Sequence, residues 1–260
     1  MLFSIFLGDK SRWNLPLLVG LACTIIIYII LVKRSGRMEI PFKQTLLFFL
    51  GLIMLFVTFG SPLAQMSHLS FSTHMIQMSI LYFIIPPILL LGIPREFFQQ
   101  SVKNNSPFLI GPAISLFTFA CLFFMYHLPV ILITLSQNSV FHNAYLIFLF
   151  ILSFIMWLPI AGPSFYNNNR RKQRFAHLSG LVIMPACLLF IVNALFGGMD
   201  NPFIGHAAPD LCIPSHINTI DLLPPIFNSK LDQLFAGIVM LGLHKLGIFM
   251  TLRIGKTVEY

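Results

Sequence analysis

"FSTHMIQMSILYFIIPPILLLGIP", residues 71–94, is greasy almost throughout, yet its first two turns carry His74, Gln77 and Met78. A helix that crosses a bilayer needs about 20 mainly apolar residues, and this stretch supplies them. It reads as a membrane span with its polar groups gathered at one end. Residues three and four apart share a helical face. His74, Gln77, Met78 and Leu81 are therefore expected to form one stripe. Such a stripe is costly in lipid unless it faces the bundle interior or a cavity. The paired Pro86 and Pro87 should kink or loosen the last turns, because each lacks an N–H and crowds the preceding turn. Neighbouring helices can satisfy the freed carbonyls.

The rest of the chain has the same character. Of 260 residues, 57% are hydrophobic and 9% charged, with 28 phenylalanines. Soluble domains carry about 25% charged residues, so the composition indicates an all-α integral membrane protein. Seven segments are long enough to span, at about 13–32, 44–60, 71–92, 107–126, 139–160, 175–198 and 232–252. A single transmembrane domain over 1–260 is expected, with one long loop at about 199–231. No cleavable signal peptide is expected, since Lys33, Arg34 and Arg37 follow the first apolar run rather than precede it.

The basic residues orient these spans. One set of loops holds Lys33, Arg34, Arg37, Lys43, Arg95, Lys103, Arg170, Arg171, Lys172, Arg174, Arg253 and Lys256; the other holds Lys10, Arg12 and Lys230. Twelve against three places the richer set in the cytoplasm. The N-terminus is then outside and the C-terminus cytoplasmic. The formal charge of +8 thus reads as a topology signal, with the lipid bilayer and not nucleic acid as its partner. Lys245, inside the last span, is read as snorkelling toward the cytoplasmic side.

Orientation gives the histidines a depth. His74, His127 in "MYHLP" and His142 in "VFHNAY" all fall at the outer ends of their spans, and Met125 lies near the same depth. Imidazole with thioether is a soft set that suits copper(I), and imidazole also suits zinc and haem iron. His74, Met78, His127 and His142 are the candidate metal ligands, and His68, His206, Cys212 and His216 a possible accessory group in the outer loops. Each has a plain reading as well. Interfacial histidines anchor helices, and methionines in spans fill space. The polar stripe of span three either binds a metal or hydrogen-bonds its neighbours. Asp232 and Gln233 open the last span, where an acidic residue would complement its own helix N-terminus. His244 reads as a packing residue.

Other chemistries find no footing. There is no HExxH, GxSxG or P-loop pattern, and no enzyme is expected. Cys23, Cys121, Cys187 and Cys212 have no disulfide or CxxC spacing, and the first three read as packing residues.

The opening stretch resembles the hallmark of the CtaG family of cytochrome c oxidase assembly factors found in bacilli: a His-Met-x-Gln step, an apolar run, paired prolines and Gly-x-Pro. "HLP" at 127, "FH" at 141, "FIMWLPIAGP" at 154–163 and "DQLFAGIVM" at 232–240 resemble its later motifs. The likeness covers about residues 44–250. It implies seven spans in the bacterial plasma membrane and a part in maturing caa3-type cytochrome c oxidase, whose subunits would be partners. It also implies a connection with copper delivery. By position it points to His74, Met75, Gln77, His127, His142, Trp157, Asp232 and Gln233. Many members have a second histidine where this chain has Met78, and a tryptophan near Leu241. The first change keeps a soft donor and shifts preference toward copper(I).

The expected function is therefore an assembly factor that holds or delivers copper at the outer membrane face. The alternatives are a copper transporter, a haem protein clamped by His74 and His142, and a metal-free scaffold.

Overall fold

A computed structural model describes residues 13–34, 42–61, 64, 70–94, 110–162, 169–196 and 229–258. The described residues form nine α-helices and one π-helical turn, with no strand among them. They are α1 (Leu15–Arg34), α2 (Phe42–Phe59), α3 (Phe71–Ser79), the π turn (Ile80–Ile84), α4 (Ile85–Gly92), α5 (Ile110–Tyr126), α6 (Pro129–Ser136), α7 (Ser139–Ala161), α8 (Asn169–Phe196) and α9 (Ser229–Val258). Six stretches are long and apolar enough to cross a membrane: Leu15–Lys33, Phe42–Phe59, Phe71–Gly92, Ser139–Ala161, Arg170–Phe196 and Lys230–Val258. Gly111–Tyr126 is a shorter apolar helix. The protein is a helical, multi-pass membrane protein.

The stretch 71–92 is the axis of the bundle, with 89% of its span buried inside the protein. The other long helices bury far less and turn large apolar side chains outward, among them Phe42, Phe141, Leu181 and Phe196. Such surfaces suit acyl chains, which cost an apolar side chain nothing. The exposure of Cys23 and Cys121 belongs to the same outward surface, so of the three described cysteines only Cys187 packs inside.

Small residues and hydrogen bonds set the helix pairs, since lipid supplies no hydrophobic force between them. Helix α2 runs antiparallel to the central rod. Gly92 abuts the Phe48 backbone, and a Cβ on Gly51 would strike Leu89. Tyr28 of α1 stacks on Phe48 and donates to the Gly92 carbonyl at 3.1 Å. Helices α5 and α7 are laced by Ser115 donating to Leu152 O (2.9 Å) and Tyr145 to Leu122 O (2.7 Å). Helix α9 runs parallel to the rod, with Gly247 against the Phe83 carbonyl, and antiparallel to α8, with Gly237 against the Cys187 carbonyl.

Pro86 and Pro87 act on the rod just before themselves. Without their N–H groups the preceding turn cannot close as an α-helix. It widens instead, and Ile85 N–H donates to Ile80 O. The Trp157 indole of α7 donates to the Tyr82 carbonyl at 2.9 Å. The rod then continues as α4 to Gly92. The expected loosening thus lies upstream of the prolines, where the carbonyls lose their donors.

Candidate functional site

Three breaks in the helices bring the polar side chains to one end of the bundle. Ser70 caps α3 by accepting from Thr73 N at 3.2 Å, which sets His74 in the first turn. Pro129 opens α6 and holds Leu128 extended, as a residue before proline is held. Helix α5 therefore stops at Tyr126 and leaves His127 in the turn. Asn138 caps α7 by accepting from Val140 N (3.0 Å) and Phe141 N (3.3 Å), so His142 lies in that helix's first turn. Helix α6, between these two breaks, replaces the loop expected between spans four and five.

At the centre of this end stands a residue the sequence reading passed over. The Tyr126 hydroxyl lies 3.3 Å from His74 Nε2 and 3.0 Å from His142 Nε2. A hydroxyl carries one proton, so it donates to one imidazole and accepts an N–H from the other. The Tyr126 ring lies 5.9 Å from the His74 ring, 5.9 Å from that of His142 and 5.4 Å from that of His127. Its signal was present in "MYHLP", one position before a candidate histidine.

His127 is buried among Phe123, Tyr126 and Phe190. Its Nδ1–H donates to the Phe123 carbonyl, which leaves Nε2 as a bare lone pair with no hydrogen-bond partner. An Nδ1–H fixed on a backbone carbonyl is how ligand imidazoles are oriented. The donor chemistry at His127 therefore fits a metal.

The predicted stripe is turned into the bundle and hydrogen-bonds two different neighbouring helices. His74, Gln77, Met78 and Leu81 are all buried. Yet His74 reaches Tyr126 on α5, while Gln77 Nε2 donates to the Thr58 carbonyl of α2 at 2.9 Å. The reason is burial on every side: a rod enclosed by other helices has no single interior face. Gln77 caps the end of α2, where the last carbonyls lack intrahelical donors. Met78 is buried one turn from His74, but Met125 is exposed and leaves the group. Among the described residues no three or more His, Cys, Asp or Glu side chains converge to hold a metal ion. His68, His206, Cys212 and His216 lie outside the described residues.

Asp232 corrects a second expectation. It does lie in the first turn of α9, but its carboxylate serves the neighbouring helix. Oδ2 accepts from Phe71 N at 2.6 Å and Oδ1 from Ser72 N at 3.0 Å, and the Ser72 hydroxyl donates to it as well. A carboxylate at the N-terminus of α3 meets both its orphan N–H groups and its positive dipole end. Gln233 beside it is wholly buried.

Deeper in, His244 packs on Phe83 and Trp157, with neither ring nitrogen hydrogen-bonded. Lys245 is exposed and lays its ammonium across Gly180 of α8, where a Cβ would fall 2.6 Å from Nζ.

The Tyr126 bridge has a measurable consequence. Tyr126→Phe removes two hydrogen bonds at once, each worth about 1 kcal/mol. The thermal midpoint in detergent should fall by about 6 °C, at about 3 °C per kcal/mol for a chain of this size. An unchanged midpoint would mean that the hydroxyl ties nothing together.

Comparison with curated proteins and with solved structures finds no match to either. The family model described as cytochrome c oxidase caa3 assembly factor matches residues 26–253, nearly the whole described bundle and every motif of its polar end. On that match, this chain belongs to the family of cytochrome c oxidase caa3 assembly factors.

Proposed function

We propose that the protein crosses the bacterial plasma membrane seven times and handles copper at its outer face for a caa3-type oxidase subunit. The shorter Gly111–Tyr126 is the seventh crossing on this reading. Its 17 residues from Ile110 sit at the lower limit for a span. The polar end is the end with few loop cations, which is the outer side by the charge bias.

The observation that carries the reading is the gathering of His74, His142 and His127 around Tyr126. Copper is the cargo. His74 and His142 would take it in place of their shared hydroxyl, with His127 Nε2 and the Met78 thioether as further soft donors. A few labile imidazole and thioether ligands suit a metal that must be passed on. A thiolate cage would hold it too firmly.

A second reading is favoured by a specific observation. Tyr126 already bridges two of the imidazoles, and no group of three strong donors converges among the described residues. On that reading the end is a metal-free docking surface for an oxidase subunit.

One pair of measurements separates the two. The purified full chain is loaded with copper(I), dialysed and assayed for metal, and caa3 oxidase activity is measured in cells carrying the same variant. Under the copper reading, His74→Ala lowers both bound copper and oxidase activity by about tenfold, the loss typical of a weakened ligand set. Bound copper equal to wild type, or none in either protein, removes the copper role and leaves the scaffold. A Soret band in the purified protein would point to haem instead.

A further inference from the structure

Lys245 is the one lysine or arginine that lies within an apolar run of this chain rather than beside one. It is exposed on the outward side of α9, with its ammonium against Gly180 of α8. We propose that this outward face docks a membrane-spanning helix of another protein, one that carries a Glu or Asp carboxylate at the depth of Lys245. The face lies away from the Tyr126 cluster, so the proposal stands whatever the polar end holds.

The ammonium stays at the depth of its own residue. Helices α8 and α9 run antiparallel, with Gly237 against the Cys187 carbonyl. Eight residues on from Gly237 is Lys245, and seven back from Cys187 is Gly180. The side chain therefore crosses sideways to α8 and does not climb α9 toward water, as a snorkelling lysine does. Gly180 is five residues inside the apolar run that starts at about 175, and Lys245 seven inside the one that ends at about 252. At about 1.5 Å per residue, the ammonium is about 8–10 Å inside the hydrocarbon.

A charge at that depth calls for a partner. Asp232 is the only acidic residue within the seven apolar runs, and its carboxylate is held by the first residues of α3, about 20 Å back along α9. Lipid phosphates sit at the membrane surface, short of the ammonium. A carboxylate on a neighbouring helix meets it at its own level. The shape of the face agrees. Ile238, Gly242, Lys245 and Phe249 are all exposed, and their spacing of four, three and four residues puts them on one side of α9. Gly237 and Gly247 of the same helix each abut a neighbour's carbonyl, but a Cβ on Gly242 meets nothing within 4 Å. A glycine on an open helix face lets a second backbone approach closely.

The test places the labelled full chain in phosphatidylcholine liposomes with a labelled leucine–alanine transmembrane peptide. The peptide carries one glutamate about 8–10 Å from one end of its apolar stretch, and a twin carries glutamine there. Energy transfer should show the glutamate peptide binding about tenfold more tightly than its twin, the scale of one interhelical polar contact. Lys245→Gln should abolish that preference, and Lys245→Glu should transfer it to a peptide with lysine in the same place. Gly242→Leu should weaken binding of the glutamate peptide with Lys245 intact. Both positions are exposed, and either variant carries the test if the other fails to fold. Equal binding of the two peptides overturns the proposal, as does a glutamate preference that survives Lys245→Gln. Self-association of the chain that Lys245→Gln abolishes and the peptide does not compete gives the face to a second copy, and overturns it too.

Discussion

Asp232→Ala should lower the thermal midpoint of the detergent-purified protein by about 10 °C and reduce the yield of folded chain. Phe71 N and Ser72 N on α3 lose their acceptor together, and the Ser72 hydroxyl keeps only the backbone carbonyl at position 232. Hydrogen bonds to a charged group are worth about 1.5–3 kcal/mol each. They share one carboxylate and are not additive, so a total of about 4 kcal/mol is expected. At about 2–4 °C per kcal/mol this gives the stated shift. Because α3 and α9 are not adjacent in sequence, the loss also unties two distant parts of the chain. Asp232→Asn keeps one acceptor oxygen and should fall between the two. A wild-type midpoint for Asp232→Ala would show that the polar end is held by other means.

Gly247→Leu should be worse still, with little folded protein recovered. A Cβ at Gly247 would collide with the Phe83 carbonyl oxygen, which belongs to the π turn. That oxygen is backbone and cannot rotate aside, so the side chain can enter only by parting α9 from the central rod. Such overpacking falls in the rare class above about 4 kcal/mol. The control is Gly242→Leu on the same helix, where a Cβ meets nothing within 4 Å. It should accumulate as wild type does, because its side chain enters lipid. Comparable yields of the two variants, read by size-exclusion chromatography, would contradict the close approach.

The elements themselves were legible because bilayer length and apolar runs are properties of a segment alone. The stretch 71–92 coincides with α3, the π turn and α4, and Ser70 supplies the cap that starts it. The starts of α8 and α9 lie further upstream than expected, because charged and polar residues such as Arg170 and Lys230 continue the helix beyond the apolar run. The short α6 was not legible, since eight residues fall below any span criterion.

At the site, the gathering of His74, His127 and His142 followed from depth alone. What each touches did not. Gln77 bonds to Thr58, and Asp232 serves a helix some 160 residues distant in sequence. Such partners depend on which helices are neighbours, and hydropathy carries no information about adjacency. Tyr126 was missed because a tyrosine at a helix end has a sufficient reading as an interfacial aromatic.

The π turn at Ile80–Ile84 inserts one extra residue into the central rod. In an α-helix each residue advances the chain by about 100° of rotation. The half with His74 and Gln77 is therefore phased separately from the half with Pro87 and Gly92. Gly92 can stay locked on Phe48 while the side chains at the polar end are aimed by a different rule. Substitutions near His74 can be absorbed without re-registering the contacts beyond the turn. The widened turn lets one rod answer to two sets of neighbours.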